Sequence, residues 1–110
     1  MITVEEAIHM ELYDIASDIS VAIVARCEVK TEDVKKVFGV VLKDVIEASE
    51  DTLPNAREIA KNITISYIKS NTVKPLTIAE ASKMFGKVLK DVYATFPEGK
   101  MLDEYLGRRR

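Results

Sequence analysis

Lys36-Val37-Phe38-Gly39-Val40-Val41-Leu42-Lys43-Asp44-Val45 recurs as Lys83-Met84-Phe85-Gly86-Lys87-Val88-Leu89-Lys90-Asp91-Val92, identical at eight of ten positions and offset by 47. Self-similarity at a fixed offset is the mark of duplicated architecture. The likeness extends upstream. Asp14-Ile15-Ala16-Ser17-Asp18-Ile19-Ser20-Val21 aligns with Glu58-Ile59-Ala60-Lys61-Asn62-Ile63-Thr64-Ile65 at an offset of 44, and Val29-Lys30 aligns with Val73-Lys74 at the same offset. The second copy therefore carries three extra residues around Pro75-Leu76-Thr77. Each unit is a first helix, a short connection and a Phe-Gly helix, with the two units at about 3–49 and 52–96.

Working outward, the apolar spacing predicts four helices. Thr3 with Glu6 forms a capping box, and Val4, Ile8, Leu12, Ile15, Ile19 and Ile23 follow at spacings of three and four. Arg26–Lys30 is a connection, and Thr31 is the expected cap of the second helix, with Glu32 and Asp33 in its positive first turn. Val34, Val37, Phe38, Val41, Leu42, Val45 and Ile46 then give an uninterrupted seam of the helix-pair type. Asp51 or Thr52 is expected to cap the third helix, with Pro54 in its first turn. The inward stripe there is expected from Ala56, Ile59, Ala60, Ile63, Tyr67 and Ile68, with Asn71 as the stop. Thr77 and Glu80 make a second capping box, followed by Ile78, Ala81, Met84, Phe85, Val88, Leu89, Val92 and Tyr93, and Pro97 and Gly99 end the run. Met101, Leu102, Tyr105 and Leu106 fit a short fifth helix over 100–106, and Gly107 with three arginines forms a tail expected to be disordered.

The fold class is therefore all-α: four main helices in one domain over residues 1–106, built as two duplicated α-hairpins with pseudo-two-fold symmetry, and a basic tail at 107–110. A lone hairpin leaves its seam uncovered; two copies meeting isologously cover each other, and duplication fuses them.

Composition narrows the function. The 110 residues are 47% hydrophobic and 31% charged, with a net charge of −2. Residues 1–55 carry twelve acids and five bases, and residues 56–110 six acids and eleven bases. The overall balance argues against indiscriminate binding of nucleic acid, while the asymmetry favours head-to-tail association or one basic face. The apolar runs are too short for a membrane span, and the N-terminus lacks the pattern of a signal peptide, so a cytoplasmic protein is expected. A single cysteine, Cys27, excludes an intrachain disulfide and a cysteine-based zinc cage.

Catalytic chemistry is thin, and no enzyme activity, cofactor or metal is expected. His9 is the only histidine, with Glu5 and Glu6 at helical spacing, a pattern that amphipathic helices carry often. Arg26 beside Cys27 is a feature that lowers a thiol pKa when the side chains meet, but no base for a nucleophile lies near in sequence. Phe38, Leu42, Phe85 and Leu89 are the candidate core or interface residues, and Gly39 and Gly86 are expected to permit close helix–helix approach, so that Gly39→Ala destabilises. Lys83, Lys87 and Lys90, with Arg108, Arg109 and Arg110, are the candidate contacts for nucleic acid.

Ile63-Thr64-Ile65-Ser66-Tyr67-Ile68-Lys69-Ser70-Asn71-Thr72-Val73 resembles the pattern Ile-Val-x-x-Tyr-Val-x-x-Asn-x-Val in the N-terminal part of the Ros/MucR family of bacterial transcriptional regulators. The family's following Leu, Leu-Ile and Val find counterparts after Val29 at Val34, Val37-Phe38 and Val41. The usual proline before that segment is missing, and one Cys and one His leave no place for the family's Cys2His2-type zinc finger, so no DNA-reading residue carries over. The resemblance implies only the N-terminal part, a self-association module. The expected function is thus a non-enzymatic helical interaction or oligomerisation module linked to transcriptional regulation, with itself as a homodimer, or another regulatory protein, as partner. Two alternatives stand beside it: binding of nucleic acid by the basic C-terminal half, and sensing of a small molecule in an apolar pocket between the hairpins.

Overall fold

Thr3 and Glu6 form the expected capping box: Thr3 Oγ1 accepts the Glu6 N–H at 3.1 Å, and Glu6 Oε1 accepts the Thr3 N–H at 2.9 Å. Hydrogen bonding from the Thr3 backbone N–H, and then from its side chain, holds the Glu6 carboxyl below its ordinary pKa. The box opens α1 (Val4–Cys27). The computed structural model describes residues 3–70 and 76–95. Within them follow α2 (Val34–Ser49), α3 (Pro54–Ser70) and α4 (Ile78–Ala94), with no strand among the described residues. Thr77 and Glu80 repeat the capping box at α4. The expected Asn71 stop, the fifth helix at 100–106 and the basic tail at 107–110 lie outside the described residues.

Two of the expected starts are corrected. Residues Thr31–Asp33 form a 3-10 turn, so α2 is capped by Asp33 rather than Thr31, and no side chain bonds its free N–H groups. The acids that would have lined the first α turn are used in the tighter turn before it. At α3 the Thr52 hydroxyl is engaged elsewhere, donating to Ser49 O and accepting from Arg57 Nη1. The N–H of Leu53, directly before Pro54, instead donates to the Tyr93 hydroxyl at 2.6 Å. That bond ties the start of α3 to the end of α4.

The helices form two hairpins, α1 with α2 and α3 with α4. The hairpins face each other so that like meets like, α1 on α3 and α2 on α4, the pairing of a pseudo-two-fold arrangement. α1 is the central element. It touches all three other helices and supplies Leu12, Ile15, Ala16, Ile19, Ala22 and Ile23 to the core. Val37, Val41 and Val45 come from α2; Ala56, Ala60 and Ile68 from α3; Ala81, Phe85 and Leu89 from α4.

The α1 stripe holds only from Leu12 onward. Val4 and Ile8, at 77% and 42% exposed, stand beyond the core at the free end of α1. On α2 the seam is narrower than its spacing implies, with Val34 and Ile46 exposed. No described helix is long and apolar enough to cross a membrane.

The two interhelix registers differ. Across α1 and α3, Glu11 meets Arg57 and Asp18 meets Lys61, separations of 46 and 43 that bracket the repeat offset of 44. Across α2 and α4, Asp44 meets Ser82 and Ala48 faces Gly86, both 38 apart, against a repeat offset of 47. The second pair is therefore slid by nine residues, roughly 13 Å along a helix.

This slip separates the two glycines. A Cβ on Gly86 would sit 3.4 Å from the Ala48 Cβ, ordinary contact, whereas nothing lies within 4 Å of one on Gly39. The expected close approach at Gly39 is corrected: that position is exposed, and its expected destabilisation reverses. Gly39→Ala should raise stability by up to about 1 kcal/mol, the difference in helix propensity, seen as a melting temperature higher by a few degrees. A lower melting temperature would refute the open position. Gly86→Ala should gain less, because Ala48 fills part of the space.

Candidate functional site

α3 carries two adjacent rows of residues, and only one faces the core. Ala56, Ala60, Thr64 and Ile68 are fully buried, at i, i+4, i+8 and i+12. The Thr64 hydroxyl is satisfied by donating to Ala60 O at 2.7 Å. The neighbouring row, Ile59, Ile63 and Tyr67, is 41%, 48% and 43% exposed. These three were expected inward, and their exposure corrects that expectation. Small side chains take the inward row where α1 packs against α3; their equivalents on α1 include Ala16, also fully buried.

The repeat makes this exposure informative. The equivalents of Ile59, Ile63 and Tyr67 on α1 are Ile15, Ile19 and Ile23, all buried in the core. The same row is covered in the first copy and open in the second. Beside it on the helical wheel lie Asn55, Asn62, Ser66 and Ser70, all exposed and none charged. This face of α3 therefore has no formal charge, in a chain in which nearly one residue in three is charged. Depletion of charge around exposed aromatic and aliphatic groups is the compositional signature of an interface core. Toward α4 the row borders a cleft of ≈ 430 Å³, closed on the far side by half-buried Val88 and Val92, with Asp91 and Thr95 at its edge.

Arg57, Glu58 and Lys61 lie on the other side of α3 and are engaged, while Lys69 stands exposed in its last turn. Arg57 is buried, a feature that the sequence reading did not single out. Its Nε and Nη2 donate to the two Glu11 carboxylate oxygens, each at 2.7 Å, and Nη1 donates to Thr52 O at 2.6 Å. The Glu11 bond raises the Arg57 pKa further, over the opposing effect of burial. Its position one residue past Ala56, within the inward arc, was the available signal. Lys61 bridges Asp18 and Glu58 at 3.3 Å each. Burial works against its charge, but the two carboxylates prevail and hold its pKa above the ordinary value. Together with Lys83–Asp44 at 3.7 Å, the ion pairs Glu11–Arg57 and Asp18–Lys61 each join an acid of residues 1–55 to a base of residues 56–110. Part of the charge asymmetry is thus used within the chain.

The other candidate residues divide between core, flank and surface. Phe85 and Leu89 are in the core; Phe38 and Leu42 are half-buried against it, with the Phe38 ring 6.0 Å from that of Tyr13. Lys83, Lys87 and Lys90 are exposed on α4, and Arg108, Arg109 and Arg110 lie outside the described residues. The Cys27 thiol donates to Leu76 O at 3.2 Å. Burial raises its pKa despite Arg26, the reverse of an activated thiol. Glu6, one of the carboxylates near His9, is spent on the α1 cap, and no three metal-ligating side chains converge among the described residues. No family model matches the chain, and no curated protein or solved structure is significantly similar to it.

Proposed function

We propose that this protein is a non-enzymatic helical interaction module that pairs with a second copy of itself through the uncharged face of α3, in the cytoplasm and in the service of transcriptional regulation. The observation that carries the reading is the exposed row Ile59, Ile63 and Tyr67, bordered on α3 by Asn and Ser, whose repeat equivalents are buried. In an isologous dimer each side chain near the axis meets its own kind, so a charged face repels itself and an uncharged one does not. A second copy is therefore the partner that this surface fits best. The resemblance to the self-association part of the Ros/MucR regulators supports the same reading, because Ile63 and Tyr67 of that motif stand on the exposed row.

The test is the mass in solution by light scattering, at low and high salt. The expected result is twice the 12.3 kDa chain mass at both, since apolar contact resists screening. Ile63→Glu should give a folded monomer with unchanged helix content, because Ile63 is exposed in the single chain, and its melting temperature should fall only by what dimerisation adds. A wild-type monomer at both salts would overturn the proposal. So would a dimer that salt dissociates, which would place the contact between charged surfaces such as the lysines of α4.

A further inference from the structure

The uncharged face of α3 differs along its length, and its two ends fit each other. Toward Pro54, Ile59 and Ile63 border the cleft of ≈ 430 Å³ that is backed by half-buried Val88 and Val92. One turn past Ile63, Tyr67 is exposed and stands outside that cleft. The row thus carries a hollow at one end and its largest side chain at the other. Ile63 lies midway, four residues from Ile59 and four from Tyr67, and the whole row spans roughly 12 Å.

Two copies can join this face to itself in two senses. With the α3 helices parallel, Tyr67 meets Tyr67 and hollow meets hollow, so both hollows stay unfilled, against the close packing of interface cores. Lys69, exposed in the last turn of α3, would also stand beside the other Lys69, a like-charge contact. With the helices antiparallel about Ile63, each Tyr67 lies opposite Ile59 of the other copy, at the mouth of its cleft. Each Lys69 then lies toward the end of the other α3 that carries exposed Glu58, a charge of opposite sign. A phenol matches the chemistry of the cleft. Its ring has Ile59, Val88 and Val92 to pack against, and its hydroxyl reaches the edge, where Asp91 offers a carboxylate. On the reading that the chain pairs through α3, on which this step rests, we infer that the two copies join antiparallel, with Tyr67 of each seated in the α3–α4 cleft of the other. Tyr67 then fixes the orientation of the pair, and α4 takes part in the interface through Val88 and Val92. Each ring fills one hollow, so the contact closes at two copies.

The experiment is an isotope-filtered NOE measurement on an equal mixture of carbon-labelled and unlabelled full-length chains, which records only contacts between copies. The ring protons of Tyr67 should contact the methyl groups of Ile59, Val88 and Val92 of the other copy. Tyr67→Ala should weaken dimerisation by about tenfold or more without loss of helix content, since Tyr67 is exposed in the single chain. Contacts of Tyr67 with Tyr67 and of Ile59 with Ile59 would show the parallel sense; they would overturn the inference and leave pairing through α3 intact. A Tyr67→Ala chain that dimerises as tightly as the wild type would also overturn the inference alone. Contacts between copies that avoid α3, or none at all, would overturn the inference and the α3 pairing together.

Discussion

Phe85→Ala should lower the stability of the chain by about 4 kcal/mol, a large share of the roughly 5–15 kcal/mol that a domain has to lose. Phe85 is the largest fully buried side chain and sits where α4 meets the rest of the core. Truncation removes the ring from contact and leaves a cavity that four packed helices cannot fully close. Its repeat equivalent, Phe38, is half-buried and flanks the core, with exposed Tyr13 beside it. Phe38→Ala should therefore cost less than half as much. Urea titration followed by circular dichroism measures both. Equal costs would mean that the two phenylalanines occupy equivalent places, against the slid register of α2 and α4.

Glu11→Ala is the second large effect, at about 3 kcal/mol. The Arg57 side chain is only 5% exposed and cannot shed its charge, whereas the Glu11 side chain is 30% exposed. Removing the carboxylate strands a buried cation; removing the cation frees a carboxylate that water already reaches. Arg57→Met, which keeps the length of the aliphatic stem, should therefore cost less, about 1–2 kcal/mol. The order of the two costs is the test. If Arg57→Met proves the worse, the bonds from Arg57 to Thr52, rather than the pair with Glu11, hold α3 to the preceding turn.

How far the sequence reaches can be judged residue by residue. Both capping boxes were legible because their chemistry is local: a hydroxyl and a carboxylate three residues apart satisfy each other's backbone groups whatever surrounds them. The hairpins were legible from the repeat. The start of α2 was not, because Thr31-Glu32-Asp33 serves a 3-10 turn as well as a first α turn, and the choice rests on how the connection closes. On α3, Ala56, Ala60 and Ile68 are buried as their spacing implies, but Ile59, Ile63 and Tyr67 are not, because hydrophobicity ranks them as core while packing against α1 selected the row that runs through Ala60 and Thr64. Arg57 drew no notice, since its partner Glu11 is 46 residues away. The candidate α3 face was thus present in the sequence as residues but assigned to the wrong side. The register between α2 and α4 is written in neither copy alone; it depends on how two different surfaces interdigitate.

That slid register also bears on how the chain finds its native state. Two decapeptides identical at eight positions compete for two docking places during folding. Were both places alike, exchanging the segments would cost almost nothing, and the landscape would hold two nearly equal minima. The nine-residue slip makes the places different: one takes Val37, Val41 and Val45 inward, and the other takes Phe85 and Leu89. A misplaced segment then presents the wrong row to the core and is released. Divergence of register after duplication thus gives a repetitive chain a single lowest state.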